Sequence, residues 1–169
     1  MKTRRIYTLL AMCCILCAAK AQTREMMAGV QISYASSTYN SELQNELQEA
    51  LGFGGRFHYE LMHQLVLAPK ANIYLNTSDT PWWAVDAAID AHYNFVAAID
   101  FCIYPIAGIC VSYWDGAQHF PAQSYIGGNI GVGAQYNITT NLTLNGEYKY
   151  QIYRKRDVVN FALSLGYRF

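Results

Sequence analysis

Three short runs place ionisable groups two or four residues apart. Arg56, His58 and Glu60 alternate in the first; Asp86, Asp90 and His92 form the second; Glu147 and Lys149 form the third, with Lys70 and Arg168 as further single charges. A carboxylate beside an imidazole is the material of general acid–base chemistry, and histidine changes charge near neutral pH. The same groups, enclosed together, also make a static salt-bridge network. The spacing carries information about the backbone. Residues two apart share one face of a strand, not of a helix. No zinc-ligand spacing, phosphate loop or nucleophile elbow accompanies them, and Gly127, Gly128, Gly131 and Gly133 do not fit G-x-G-x-x-G. The expectation is a structural charge network with no catalytic residue, no metal and no cofactor.

The elements that must position these charges are strands. Val159, Phe161, Leu163, Leu165, Tyr167 and Phe169 share one face, against Val158, Asn160, Ala162, Ser164, Gly166 and Arg168 on the other. Leu142, Leu144, Tyr148, Tyr150 and Ile152 oppose Thr143, Asn145, Glu147, Lys149 and Gln151 in the same way. Similar alternation covers 126–136, 101–112, 83–94, 65–75, 53–61 and 28–34, which makes eight strands. Short turns are expected near His63-Gln64, Ala97–Asp100 and Thr139–Asn141. Longer loops are expected at Ser36–Gly52, Asn76–Trp82, Trp114–Ser124 and Arg154–Asp157. Pro105 to Gly108 reads as a bulge or kink. Gly127, Gly131 and Gly133 point inward and leave room for large neighbours such as Tyr104.

The 169 residues suit one domain. Charged residues are 14%, well under the roughly 25% of soluble domains. No apolar run reaches the ~18 residues of a membrane-spanning helix. This composition excludes a disordered chain, a helical membrane protein and a basic nucleic-acid binder. Lys2, Arg4 and Arg5 precede an apolar run from Ile6 to Ala19, and Ala19-Lys20-Ala21 has the form cut by a signal peptidase. Residues 1–21 are therefore expected to be a secretory signal and 22–169 the mature domain. That domain would carry eight basic against twelve acidic residues. Its two cysteines, Cys102 and Cys110, would lie about 26 Å apart on one strand, so free thiols are expected.

Alternating strands with short turns at one end and longer loops at the other suit an outer-membrane barrel. The low charge and the charges of both signs within strands place the apolar face outside, against lipid, and the charges within. Aromatics gather near strand ends as two girdles: Trp82, Trp83, Tyr113, Trp114, Phe120, Tyr125 and Tyr153 in one, and Tyr59, Tyr93, Phe95, Tyr136, Tyr167 and Phe169 in the other. The fold class expected is all-β, an eight-stranded antiparallel up-and-down transmembrane β-barrel with its lumen filled by side chains.

The tail Phe161–Phe169, with its terminal aromatic, resembles the C-terminal strand of outer-membrane proteins. Ile103-Tyr104-Pro105-Ile106-Ala107-Gly108 and Gly146-Glu147-Tyr148-Lys149-Tyr150 are similar to stretches of the small porin-like "outer membrane protein beta-barrel domain" family common in Bacteroidetes. The architecture resembles OmpA/OmpX-type barrels. The resemblance implies residence in the outer membrane and contact with its lipid and lipopolysaccharide. It also implies that Tyr167 and Phe169 are read by the barrel assembly machinery. A monomer with a structural, adhesive or surface-binding role is expected.

Some eight-stranded barrels modify lipid A, which makes an enzyme the alternative; a small-solute channel comes after it. A deacylase pattern needs Ser two residues after His, and His58, His63, His92 and His119 are followed there by Glu60, Leu65, Asn94 and Pro121. Ser112, Asp115 and His119 form only a loose set near the outer rim. Arg154, Lys155 and Arg156 could meet lipopolysaccharide phosphates. Leu43, Leu47, Ala50 and Leu51 have helical spacing, with a capping pair Ser41/Gln44, so a short helix is expected in the Ser36–Gly52 loop.

Overall fold

The computed structural model of the chain describes residues 25–40, 45–76, 82–116, 120–154 and 156–169. Among these residues the regular elements are nine strand segments. They are β1 (Met26–Asn40), β2 (Asn45–Met62), β3 (Leu65–Asn76), β4 (Trp82–Tyr93), β5 (Phe95–Ala98), β6 (Phe101–Gly116), β7 (Phe120–Asn137), β8 (Leu142–Tyr153) and β9 (Arg156–Arg168). All pairings are antiparallel, and β1 closes on β9 with Met27 opposite Arg168 and Tyr39 opposite Arg156. β4 and β5 form one stave. Both pair with β6, and the register of His92 opposite Ile106 carries on through Phe95 opposite Ile103 and shifts only between Val96 and Ala98. The result is a closed barrel of eight staves.

Two prolines explain its ladder gaps. The break between β4 and β5 faces Tyr104 and Pro105, and proline has no N–H to donate. Pro69 lies in a similar lapse of the β2–β3 ladder, between the pairs Arg56–Lys70 and Tyr59–Leu67. The bulge expected at Pro105–Gly108 is absent. There β6 follows β7 in unbroken register from Phe101–Tyr136 to Trp114–Gln123. The lost bond is taken up on the β4/β5 side instead.

The helix expected in the Ser36–Gly52 loop is not formed where the structure describes it. Asn45–Met62 is strand, with Ala50 opposite Ala35 and Leu51 opposite Tyr34; Ser41, Leu43 and Gln44 lie outside the described residues. The residues 49–53 alternate exposed and buried, a period of two that the β1 ladder satisfies and a helix would not. The long loops shrink for the same reason. β1, β2, β6 and β7 have 15, 18, 16 and 18 residues. A crossing needs only about 9–11, so these hairpins continue past the outer surface.

The stagger of the barrel follows from its pairings. Partners traced from Tyr39 through Arg156, Tyr153, Gly127, Cys110, Ala88, Lys70 and Arg56 return to β1 at Gly29, ten residues away. Eight staves with that shear tilt by roughly 35–45° and enclose a space that side chains can fill.

Polarity is inverted relative to a soluble protein. Val30, Ile32, Phe53, Ile73, Ile109, Val132, Leu144 and Leu163 are exposed, while Gln31, Ser33, Asn72, Asp90, Asn145, Glu147 and Lys149 are buried. The outward apolar rows form the band that meets lipid. Part of the girdle expectation is corrected here. Trp83 and Tyr113 face outward with ring centroids 5.5 Å apart, whereas Tyr153 is buried, with Trp114 and Tyr125 packed against the same inner cluster. Tyr125 pairs with Ser112, and Tyr153 with Gly127, on the inward rows, so parity turns these rings away from lipid. At the other end Tyr93 and Phe95 face outward with their rings tilted against each other at 4.9 Å, and Tyr136, Tyr167 and Phe169 are exposed.

Candidate functional site

The site the barrel builds is its lumen. Strand β7 supplies the room. Its inward Gly127, Gly131 and Gly133 pair across to Tyr153, Lys149 and Tyr104. A Cβ on Gly127 would lie 2.6 Å from Tyr153 Cδ1, one on Gly131 2.9 Å from Lys149 Cγ, and one on Gly133 2.5 Å from Tyr104 Cζ. Each of these contacts is closer than real side chains tolerate. The missing Cβ atoms are therefore what allow two large tyrosines and a lysine to lie flat across the lumen.

Glu147 is the hub. Its Oε1 accepts hydrogen bonds from Arg56 Nη2 at 2.5 Å and from the Tyr104 hydroxyl at 3.2 Å, and its Oε2 accepts from Lys70 Nζ at 3.1 Å. Lys70 also forms an ion pair with Asp90, and Lys149 Nζ stands 3.7 Å from the same carboxylate. Asn129 Nδ2 donates to Asp90 Oδ1 at 2.7 Å. Nearer the outer end, Asp86 Oδ2 accepts from Gln151 Nε2 at 2.9 Å and from the Tyr153 hydroxyl at 3.2 Å. Arg56 completes its set with Ser164 Oγ at 2.8 Å and His58 Nε2 at 2.9 Å. His92 stacks on Tyr104 at 4.6 Å, meets the His58 ring edge-on at 5.3 Å, and holds Nε2 3.8 Å from Glu147.

Eight of the ten residues expected in the lumen network are brought together here: Arg56, His58, Lys70, Asp86, Asp90, His92, Glu147 and Lys149, all buried. The other two sit at the lower rim. Glu60 faces the exposed His63 at 3.9 Å, and Arg168 pairs with Glu25 at 3.3 Å. Their strands run past the enclosed section, so correct parity is not enough to bury them. The enclosed section thus holds three cations and three carboxylates. Sequence reasoning did not single out its neutral members, Gln31, Asn72, Asn129, Asn145, Gln151 and Asn160. The same parity that revealed the charges also marks these positions as inward.

The donor atoms of His58, His92 and Glu147 lie within 4.8 Å of one another, a set that could hold a cation. The Arg56 guanidinium already bridges His58 Nε2 and Glu147 Oε1, with Lys70 beside it. A divalent ion would have to displace one positive charge and face another. The charge chemistry of this cluster does not fit a metal.

Ser112 and Asp115, three apart on β6, stand on opposite sides of the wall by parity, and Ser112 is buried in the lumen. His119 lies outside the described residues. Arg154 is exposed in the turn after β8, Lys155 lies outside the described residues, and Arg156 opens β9 opposite Tyr153. At the C-terminus the Phe169 amide donates to the Met26 carbonyl at 3.0 Å, and its ring lies 6.4 Å from that of Phe57.

A closed eight-stave barrel with an apolar exterior and a charged interior defines an outer-membrane protein. The model of the outer membrane protein beta-barrel domain family matches residues 6–169, and the chain belongs to that family. Among solved structures it is similar to Neisserial surface protein A, with a TM-score of 0.68 and 18% identity, covering 84% of this chain and 97% of that one. It is also similar to Ail, the attachment invasion locus protein of Yersinia pestis, solved with the heparin analogue sucrose octasulfate (TM-score 0.61, 18% identity, covering 85% and 99%). The N-terminal barrel domain of Pseudomonas aeruginosa OprF is a third such structure (TM-score 0.61, 21% identity, covering 83% and 97%). A comparison with curated proteins finds no match.

Proposed function

We propose that this outer-membrane barrel is neither an enzyme nor a channel and acts through its outer surface, in a structural, adhesive or binding role. The observation that carries this reading is the Glu147 hub. Arg56, Lys70 and Tyr104 converge on one carboxylate across the lumen and leave the interior occupied by paired charges. With the interior occupied, contact with a partner falls to the hairpins that extend past the membrane. Ail, a structural neighbour, was solved with a sulfated saccharide. Here the basic sequence run Arg154–Lys155–Arg156 is the counterpart we assign to anionic groups such as lipopolysaccharide phosphates. Residues 1–21 act as the export signal, Tyr167 and Phe169 are read by the barrel assembly machinery, and the mature barrel is a monomer.

The enzyme alternative is disfavoured by the placement of Ser112, which faces the lumen where lipid cannot reach it. Mass spectrometry of lipid A from a deletion strain tests the proposal. An unchanged acyl-chain profile is expected, and altered acyl chains would make the protein a lipid-modifying enzyme.

A further inference from the structure

The end of the barrel that carries the short turns is not uniform. The β2–β3 turn is polar, made of the exposed His63 and Gln64. The β5–β6 hairpin differs in reach and in chemistry. The last β3–β4 pair is Leu65–Tyr93, and the Asn94 amide donates to the Gln64 carbonyl at 2.8 Å. Beyond that point β5 pairs only with β6. The hairpin therefore projects below its β3 neighbour.

Its sequence is Phe95-Val96-Ala97-Ala98-Ile99-Asp100-Phe101. Every residue of β5 is exposed, so the alternation that governs the other staves stops here. Val96, on the inward parity, is 75% exposed, and Ile99 at the tip is 95% exposed. Both faces are apolar, and the polar Asp100 gives its carbonyl to the Asn137 amide at 2.8 Å. A two-sided apolar tip in water would be unfavourable. The outer side of the hairpin runs without a break into the lipid-facing row Phe101, Ile103 and Ile109.

We propose that the β5–β6 hairpin is bedded in the inner leaflet of the outer membrane, with phospholipid as its partner. The β3-side edge of β5 has no strand partner among the described residues, and unpaired backbone groups are excluded from the hydrocarbon centre. The seat is therefore the glycerol and upper-acyl layer, where backbone groups still find donors and acceptors.

Nitroxide accessibility in phosphatidylcholine vesicles tests this. Ile99→Cys, Val96→Cys and His63→Cys would each be made in a Cys102→Ser/Cys110→Ser background, with the heat-dependent shift on SDS gels confirming that each is folded. Labels at 99 and 96 are expected to be reached by oxygen and shielded from a water-soluble nickel chelate, with the reverse at 63. Chelate accessibility at 99 or 96 equal to that at 63 would place the hairpin in water and overturn the proposal. Shielding from both reagents would mean that protein covers the hairpin, which overturns it equally.

Discussion

Tyr104 on β6 and Gly133 on β7 are cross-strand partners, and the Tyr104 ring occupies the space where a side chain at 133 would begin. That one relationship links the glycine-rich β7 to the lumen network, because the same ring carries the hydroxyl bonded to Glu147 and stacks on His92. Gly133→Ala should therefore push Tyr104 off its site. Overpacking of this kind costs about 1–3 kcal/mol. Gly128 is the control, since it points outward and the nearest atom to its Cβ position is 3.8 Å away. Urea unfolding in detergent micelles should show a lower midpoint for Gly133→Ala and an unchanged one for Gly128→Ala. Equal midpoints would mean that the ring is not held by the missing side chain.

Glu147→Gln keeps the shape of the hub and removes its charge. Arg56 would then lose the carboxylate it pairs with, and Lys70 would be left to share Asp90 with Lys149. Breaking a buried pair from one side costs about 3–5 kcal/mol. The variant should unfold at a lower urea concentration than wild type, and Glu60→Gln at the rim should barely move it. Similar stability for Glu147→Gln and wild type would show that the network is not held by that carboxylate.

The proposed assembly signal lies at the C-terminal end of the chain. Phe169 directly follows β9, is exposed on the lipid-facing side and is tied to Met26 at the closing seam. Deleting it should lower the amount of folded protein in outer-membrane fractions far more than deleting Arg154–Arg156. Equal membrane levels for the two deletions would remove the assembly role of the terminal aromatic.

Much of this architecture can be read from period two alone. Leu163 and Leu165 outside, with Ala162 and Ser164 inside, fix both the strand and its lipid face, and the same parity locates Glu147 and Lys149. Parity does not report height along the barrel. Glu60 and Arg168 share the inward rows yet fall at the rim, where the wall ends. Trp114 and Tyr153 sit at the level expected of a girdle and still turn inward, because composition near strand ends does not set direction. Helical spacing would put Leu47, Ala50 and Leu51 on one face, but so short a run does not exclude a strand, and the β1 ladder turns Ala50 inward and Leu51 outward.

The proposed function requires a lumen closed by its own side chains. Single-channel recording of the folded protein in a planar bilayer tests it most directly. No stable porin-sized steps are expected, because Arg56, Lys70 and Tyr104 are held on Glu147 across the enclosed section. Large, reproducible steps whose size changes in Lys149→Ala and Glu147→Ala would contradict it, since the same residues would then line an open path.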